Sequence, residues 1–423
     1  MSREIQLSAH SGIPIYVYGN PAQHGFFISL FVKSGSLYEG EEECGITHFL
    51  EHVAIRNVNR IMNGELYRTL DALGLEFNAS TFSEMVQFYM SGAAENFRNA
   101  ADIIVRLFSP IELSSQEIDA ERGRIRAEIR EADEKNSLLG FTAGHVWGET
   151  SLSRPITGTA KSVGKMSKKR LEEYRKAAFG VGNVFFYITG NVADEDIEYL
   201  SLLLGDVTAV CPYKHENIAP VPRNFGRRGA TVYLKNADFT KVRFTFDLDM
   251  SHFSVAEIDL LYEIVLGGYA SDFFIELSER RGLFYDISGS TERYGNIGTF
   301  SFSFELREVK LDEAIETSVS LLRSLKEEVL PEERCMKSGY VSNAYMLYDD
   351  ARELNFTFAY DNHILSAGYS SIEERRKKYA EITPERLRDV AREVFTPENL
   401  TLTLKGNKKR IDTERIREKL LAL

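Results

Sequence analysis

Apolar and polar positions change period along this chain, and each change marks an element. Short runs rich in β-branched and aromatic residues, IPIYVY from Ile13 and HGFFISLFVKSGS from His24, read as strands. Apolar residues at three- and four-residue spacing predict helices in DAERGRIRAEIREA from Asp119 and IDLLYEIVLGG from Ile258. The segment ATVYLKNADFTKVRFTFDLDM from Ala230 is strand-like again. Strands interleaved with helices in both halves predict an α+β, sheet-and-helix architecture, while strand order cannot be read from the pattern.

The pattern also repeats. LEEYRKAAFGVGNVFFYITGN from Leu171 and LRDVAREVFTPENLTLTLKGN from Leu387 lie 216 positions apart and share Leu, Phe, Asn, Gly and Asn at five matching positions. Each copy runs from amphipathic helix through a turn to an apolar strand. Helix, turn and strand recur in many α/β proteins, but two copies half a chain apart point to duplication. Between the halves, PYKHENIAPVPRNFGRRG holds three of the 10 prolines and no long apolar periodicity. The expected organisation is therefore a first domain over 1–211, a linker over 212–229 and a homologous second domain over 230–423.

Residues 48 to 52 read His-Phe-Leu-Glu-His. On a helix, imidazoles at i and i+4 stand one above the other, with β-carbons about 5–6 Å apart, which suits two nitrogen ligands on one tetrahedral Zn²⁺. Glu51 is i+3 from His48 and projects from nearly the same face, placed to take a proton from a bound water. Such a pair can also be a solvated couple on a surface helix. Gly45 and Thr47 before it supply a helix start, and Ile46, Phe49, Leu50 and Val53 give one apolar face to seat in a core. The order H-x-x-E-H is a zinc-peptidase motif, the inverse of H-E-x-x-H.

A catalytic zinc takes a third protein ligand and keeps its fourth position open. The stretch SSQEIDAERGRIRAEIREADEKN from Ser114 is the best donor. Ser114 and Glu117 form a capping box, and Ile118, Ile125 and Ile129 recur at helical spacing. Glu121 and Glu128, seven apart, share a face, so one can bind metal with the other behind it. Taken alone, the alternating charges read as a solvated, salt-bridged face.

HFLEH, with Glu128 lying 76 positions beyond His52 in a helical ERGRIRAEI, resembles the inverted-zinc-motif M16 peptidases, the family of pitrilysin, insulin-degrading enzyme and the mitochondrial processing peptidase, in its short two-repeat bacterial form. The resemblance implies His48, His52 and Glu128 as ligands of one Zn²⁺ per chain, Glu51 as general base and Glu121 as a carboxylate behind the site. PITGTAKSVGKMSKKRLEEYRKAAFGVGNVFFYITGN, residues 155–191, is similar to a family stretch of loop, helix and strand. NASTFSEMVQFYM from Asn78 is similar to the strand on which the family lays its substrate, with Asn78, Ala79 and Ser80 pairing through their backbone. The family also brings an Arg and a Tyr, seven apart, to the substrate. In FFIELSERRGLFYDISG, Tyr285 fits the tyrosine, though it reads equally as a core aromatic. Ser278 stands where the motif wants Arg, and Arg280 and Arg281 are at the wrong spacing.

Composition excludes other classes. A net charge of −12 without a basic stripe speaks against nucleic acid, and no phosphate-binding glycine loop occurs. No run of 18 apolar residues predicts a membrane span, and MSREIQLSAHSG lacks the apolar region of a secretory signal, so the expected location is the cytoplasm. Cys44, Cys211 and Cys335 are too few and too far apart for a disulfide scaffold or a cysteine-built zinc site; Cys44 reads as a small buried residue.

The expected activity is zinc-dependent hydrolysis of peptides or of leader or targeting segments. Zinc lowers the pKa of bound water from 15.7 towards roughly 7, Glu51 takes its proton, and the resulting hydroxide attacks a carbonyl. The alternative is a non-hydrolytic scaffold subunit, which would be expected to have lost metal ligands that this chain retains. Since single-chain relatives carry four repeats, the resemblance implies a dimer. A heterodimer with a homologous subunit that keeps the Arg is favoured over a homodimer, because two copies would both present Ser278.

Overall fold

The computed structural model describes residues 3–132, 137–148, 150–207, 229–234, 239–267, 269–284 and 287–423. In chain order the first half runs β1 (Ile5–Ser8), β2 (Pro14–Gly19), β3 (Gly25–Val32), α1 (Ile46–Ile61), α2 (Leu66–Leu73), β4 (Glu76–Thr81), β5 (Val86–Ala93), α3 (Phe97–Ile104), α4 (Ser115–Ala132), α5 (Leu138–Trp147), α6 (Ala160–Lys165), α7 (Lys168–Ala178), β6 (Val184–Gly190) and α8 (Asp194–Leu203). The second half runs β7 (Gly229–Leu234), β8 (Phe239–Asp249), α9 (Val255–Leu266), β9 (Ile287–Tyr294), β10 (Ile297–Arg307), α10 (Leu311–Glu327), α11 (Ala351–Ala359), α12 (Ile372–Ala380), α13 (Pro384–Val394), β11 (Leu400–Gly406) and α14 (Thr413–Leu420). Most of the expected linker lies outside the described residues.

The chain forms two compact units. The first contains the described residues of Met1–Asp133, Arg154–Ala219 and Tyr345–Ile372; the second contains those of Glu134–Ser153, Pro220–Ala344 and Glu373–Leu423. Helix α5 thus counts with the second unit and α11 with the first. No helix among the described residues is long and apolar enough to cross a membrane.

In the first unit six strands pair in the order β1-β2-β6-β3-β5-β4, with only β2 and β6 parallel. Side chains alternate across a strand, so β3 sends Phe26, Ile28, Leu30 and Val32 into the main core, where they meet Phe49 and Val53 of α1 and Ile118 and Ile125 of α4. The opposite face carries Phe27, Ser29 and Gln87 and is covered by α11. There the Asn355 amide donates to the Tyr187 carbonyl at 2.9 Å, its oxygen accepts from Ser29 Oγ at 2.6 Å, and Thr189 Oγ1 donates to the Ala351 carbonyl at 2.6 Å. Both faces of these strands are covered, which is why they read as nearly unbroken apolar runs. The segment from Asn78 to Met90 is a hairpin rather than one strand, because it turns between Thr81 and Val86.

The second unit pairs five strands in the order β7-β11-β8-β10-β9, with only β7 and β11 parallel. The repeated segments are α7 with β6 and α13 with β11. Their shared asparagines do the same work: Asn183 donates to the Ala178 carbonyl at 2.7 Å, and Asn399 donates to the Val394 carbonyl at 2.8 Å. Each ties the end of its helix to the start of its strand. The shared phenylalanines, Phe179 and Phe395, are buried at the helix ends.

Candidate metal centre

Helix α1 begins at Gly45, whose φ of +89° is left-handed and suits glycine. Space demands it too, since a Cβ there would stand 2.6 Å from the Gly158 Cα. The buried carboxylate of Glu39 accepts from the backbone N–H groups of Gly45 at 2.7 Å and Thr47 at 2.9 Å, closing the helix end with the charge that end favours. The side-chain cap is thus Glu39, six residues upstream and without a local sequence signal. Ile46, Phe49, Leu50 and Val53 are all buried, which presses one face of α1 into the core and leaves His48, Glu51 and His52 half-buried at its rim.

Helix α4 starts at the expected box: Glu117 accepts from Ser114 N at 2.8 Å, and Glu117 N donates to Ser114 Oγ at 3.3 Å. It lies against α1, anchored in the core by Ile118 and Ile125. This brings one carboxylate oxygen, Glu128 Oε2, to 3.5 Å from His48 Nε2 and 3.6 Å from His52 Nε2. Among the described residues His48, His52 and Glu128 are the one group whose donor atoms all lie within 4.8 Å of one another. Two ligands about 2.1 Å from a tetrahedral zinc stand about 3.4 Å apart, so two nitrogens and an oxygen at these separations fit the ion.

Glu121 does not join that group. It lies 3.6 Å from the other nitrogen of His52, Nδ1, and is almost fully buried, at 1% exposure. Arg56 and Arg124 pair with it, Arg124 at 3.1 Å. A carboxylate there favours a proton on Nδ1 and leaves Nε2 free to ligate. Burial works against the Glu121 charge, yet hydrogen bonding to His52 and Arg56 and the nearby Arg124 hold its pKa below the ordinary carboxylate value. Burial alone would lower His52, but Glu121, Glu128 and Glu51 outweigh it and raise it. At His48 the buried Nδ1 finds no partner among the described residues, and burial together with His52 pushes its pKa down to about 4. His48 is therefore neutral at pH 7, the form a metal needs.

Glu51 accepts a hydrogen bond from Thr81 Oγ1, 2.5 Å away at the end of β4. Burial raises its pKa, tempered by Thr81 and His52. Asn78, Ala79 and Ser80 precede Thr81 on β4, an edge strand with no neighbour on its far side among the described residues. Its open row of N–H and C=O groups can pair with an extended chain. Sequence reading overlooked Thr81, and it also overlooked Arg56. The latter had a signal, since Arg56 continues the four-residue stripe of His48 and His52 along α1.

Tyr285 lies outside the described residues. In the second unit Ser278 sits on a π-helical turn, Phe274–Arg280, and donates to the Phe284 carbonyl at 3.2 Å. Arg280 pairs with Glu276, and Arg281 pairs with Glu313 at 3.2 Å. Cys44 and Cys335 are buried, and the Cys44 thiol donates to the Pro155 carbonyl at 3.7 Å.

The sequence profile described as Insulinase (Peptidase family M16) matches residues 17–160, and the one described as Peptidase M16 inactive domain matches residues 165–336. The chain belongs to peptidase family M16. An uncharacterized zinc protease of Rickettsia bellii is 26% identical to this M16 chain over 337 residues, spanning 76% of it and 78% of the relative. The human mitochondrial-processing peptidase subunit beta is 27% identical over 201 residues, 47% of this chain and 41% of that protein. A crystal structure of a protease from Helicobacter pylori superposes with a TM-score of 0.85 at 15% identity, covering 96% of this chain and 100% of that one, a likeness of fold. Every residue of the metal centre lies within the first M16 match.

Proposed function

We propose that this M16 chain is a zinc-dependent endopeptidase, with its catalytic residues in the first sequence half, 1–211, and a homologous partner domain in 230–423. The observation that carries the proposal is the convergence of Glu128 Oε2 on His48 Nε2 and His52 Nε2 at tetrahedral-edge distances beside the half-buried Glu51 carboxylate on the histidines' own helix. These three residues would hold one Zn²⁺ per chain, which supplies Lewis acidity to acidify a water and polarise a peptide carbonyl. Glu51, its pKa raised by burial, takes the proton of the attacking water and returns it to the leaving amine. Thr81 holds the Glu51 carboxylate, and Glu121 orients His52. The backbone of Asn78–Ser80 on edge strand β4 aligns the peptide as an added strand.

The working form proposed is a cytoplasmic dimer with a homologous subunit, a heterodimer in preference to a homodimer. Naming of the human relative as a subunit favours that reading, as does Ser278, engaged with its own loop where the family motif has Arg. Tyr285 is assigned to the substrate by motif alone. Metal analysis and peptide cleavage by the purified full chain test the proposal. About one zinc and hydrolysis abolished by a chelator support it, and a chain that binds no zinc sinks it in favour of a scaffold subunit. Glu51→Gln should keep the metal and lose about 10²- to 10⁴-fold in rate.

A further inference from the structure

A cavity of about 570 Å³ opens beside Glu51 and His52 and follows the C-terminal half of α1 towards the start of α2. Three arginines reach it, Arg56, Arg60 and Arg124, and their engagements differ. Arg56 and Arg124 are both held by Glu121. Glu117, also in the lining, accepts the Ser114 N–H and hydroxyl at Oε2, each at 2.8 Å; these bonds first, and the charges of Arg60 and Arg56 after them, hold its pKa below the ordinary value. Arg60 is exposed and makes no ion pair among the described residues. On the α2 side of the opening the lining adds two donors. The Asn59 carbonyl already accepts from Leu66 N at 3.2 Å, which leaves its NH₂ to offer, and Tyr67, 57% exposed, offers its hydroxyl. A guanidinium, an amide NH₂ and a phenol around one opening match a carboxylate, which accepts at both oxygens.

An extended peptide advances about 3.3–3.6 Å per residue, so a cavity walled by the general base and a metal-ligand histidine is within reach of residues next to the cut. We infer that this cavity is a substrate subsite that takes a carboxylate within about two residues of the cleaved bond, with Arg60 as its ionic anchor and Tyr67 and Asn59 as supporting donors. The inference rests on the peptidase reading and adds a substrate class to it: peptides bearing Asp or Glu near the cut, or short peptides whose free C-terminus falls there.

Three fluorogenic peptide series separate these sources in assays of the zinc-loaded full chain. One has an internal Asp or Glu and an amidated C-terminus, one has a free C-terminal carboxylate near the cut and no acidic side chain, and one has neither. Arg60→Ala should raise KM about tenfold for whichever carboxylate series the cavity serves, leave kcat unchanged, and spare the third series, because loss of uniform binding acts on KM. Arg60→Glu should turn the preference towards peptides with Lys or Arg at that position. An equal effect on all three series, or none on any, overturns the subsite. If the wild-type chain cleaves no peptide, alone or with a homologous partner subunit, the peptidase reading fails on its own. Fluorescence anisotropy with the same series then decides the cavity: about tenfold weaker binding to Arg60→Ala, confined to a carboxylate series, upholds it, and no selective loss overturns it.

Discussion

The strand path β2-β6-β3-β5-β4 of the first unit and β7-β11-β8-β10-β9 of the second are the same path, with the parallel pair at the same end of each. Helices α1 and α9 both follow the third strand of that path, β3 and β8, and from there the units diverge. Helix α9 buries eight of its 12 residues and has no imidazole; its one buried carboxylate, Asp259, accepts from Arg293 at 3.0 Å and Tyr379 at 2.5 Å. Helix α1 buries eight of 16, which leaves a face for His48, Glu51 and His52. The first unit also has α4 to bring Glu128 to that face, where the second has the short turns Glu332–Arg334 and Lys337–Gly339 next after α10. Duplication thus supplied two scaffolds, but a metal centre needs an uncovered helix face and a second helix to meet it.

The largest expected contrast comes from removing acidic or imidazole groups on the two helices. His52→Ala or Glu128→Ala should abolish zinc binding and hydrolysis together, with little change in thermal stability of the metal-free protein. Asp259→Ala should keep zinc and instead destabilise the second unit by about 1–3 kcal/mol, because the Arg293 guanidinium and the buried Tyr379 hydroxyl both lose this carboxylate. Zinc loss in the Asp259 variant, read by metal analysis beside a denaturant melt, would break the division of labour.

Next in size is Glu121→Gln. Removing a carboxylate behind a ligating histidine costs about 10- to 100-fold in metal affinity or activity, not all of it. Competition with a chelator measures this. Complete zinc loss there, with Glu128→Gln still metallated, would exchange the two roles.

The shared asparagines test the repeat itself. Asn183→Ala removes the amide donor of the Ala178 carbonyl, and Asn399→Ala removes that of the Asp247 carbonyl and one of two donors to the Val394 carbonyl, which keeps Thr396 N at 3.1 Å; each should cost about 1–3 kcal/mol. Denaturant melts followed by hydrogen exchange should locate each loss in its own unit. Unequal costs would mean that the two joints differ.

The smallest effect is a pH dependence confined to the first unit. Glu84, in the turn between β4 and β5, has its pKa pushed up to about 7 by burial, with Tyr360 hydrogen-bonded to it. Its folded-state pKa lies above the unfolded value, so between about 4.5 and 7 the folded protein keeps a proton that the unfolded chain releases. That contribution is full below this window and is lost as pH rises through 7. Glu84→Gln should remove this slope, worth at most about 3 kcal/mol. Melts of wild type and variant from pH 5 to 8 that run parallel would refute it.

Much of the fold could be read from the chain because its signals are local. Short β-branched and aromatic runs marked the strands, the box at Ser114 and Glu117 marked the start of α4, and five coincident residues marked the repeat, two of which hold matching places at the joints between helix and strand. Where the signal ended, so did the reading. The turn within Asn78–Met90 was missed because residues 82–85 carry no Gly or Pro to mark it, and Glu39 was missed because it caps α1 from a separate turn. The exchange of α5 and α11 between the units has no local mark either, since a helix's sequence does not name the sheet it covers.

The metal centre divides along the same line. Two histidines and a glutamate within five residues of one helix share a face through helical geometry alone, so the sequence by itself determined that part of the site. Glu121 and Glu128 share a face of α4 equally well, and the residues left both open, with only the resemblance favouring Glu128. The register at which α4 crosses α1, set by Ile118 and Ile125 in the common core, brings Glu128 to both Nε2 atoms and Glu121 to the back of His52. A spacing within one helix is fixed by its backbone, whereas a distance between two helices is fixed by the side chains packed between them, and only the folded core decides that.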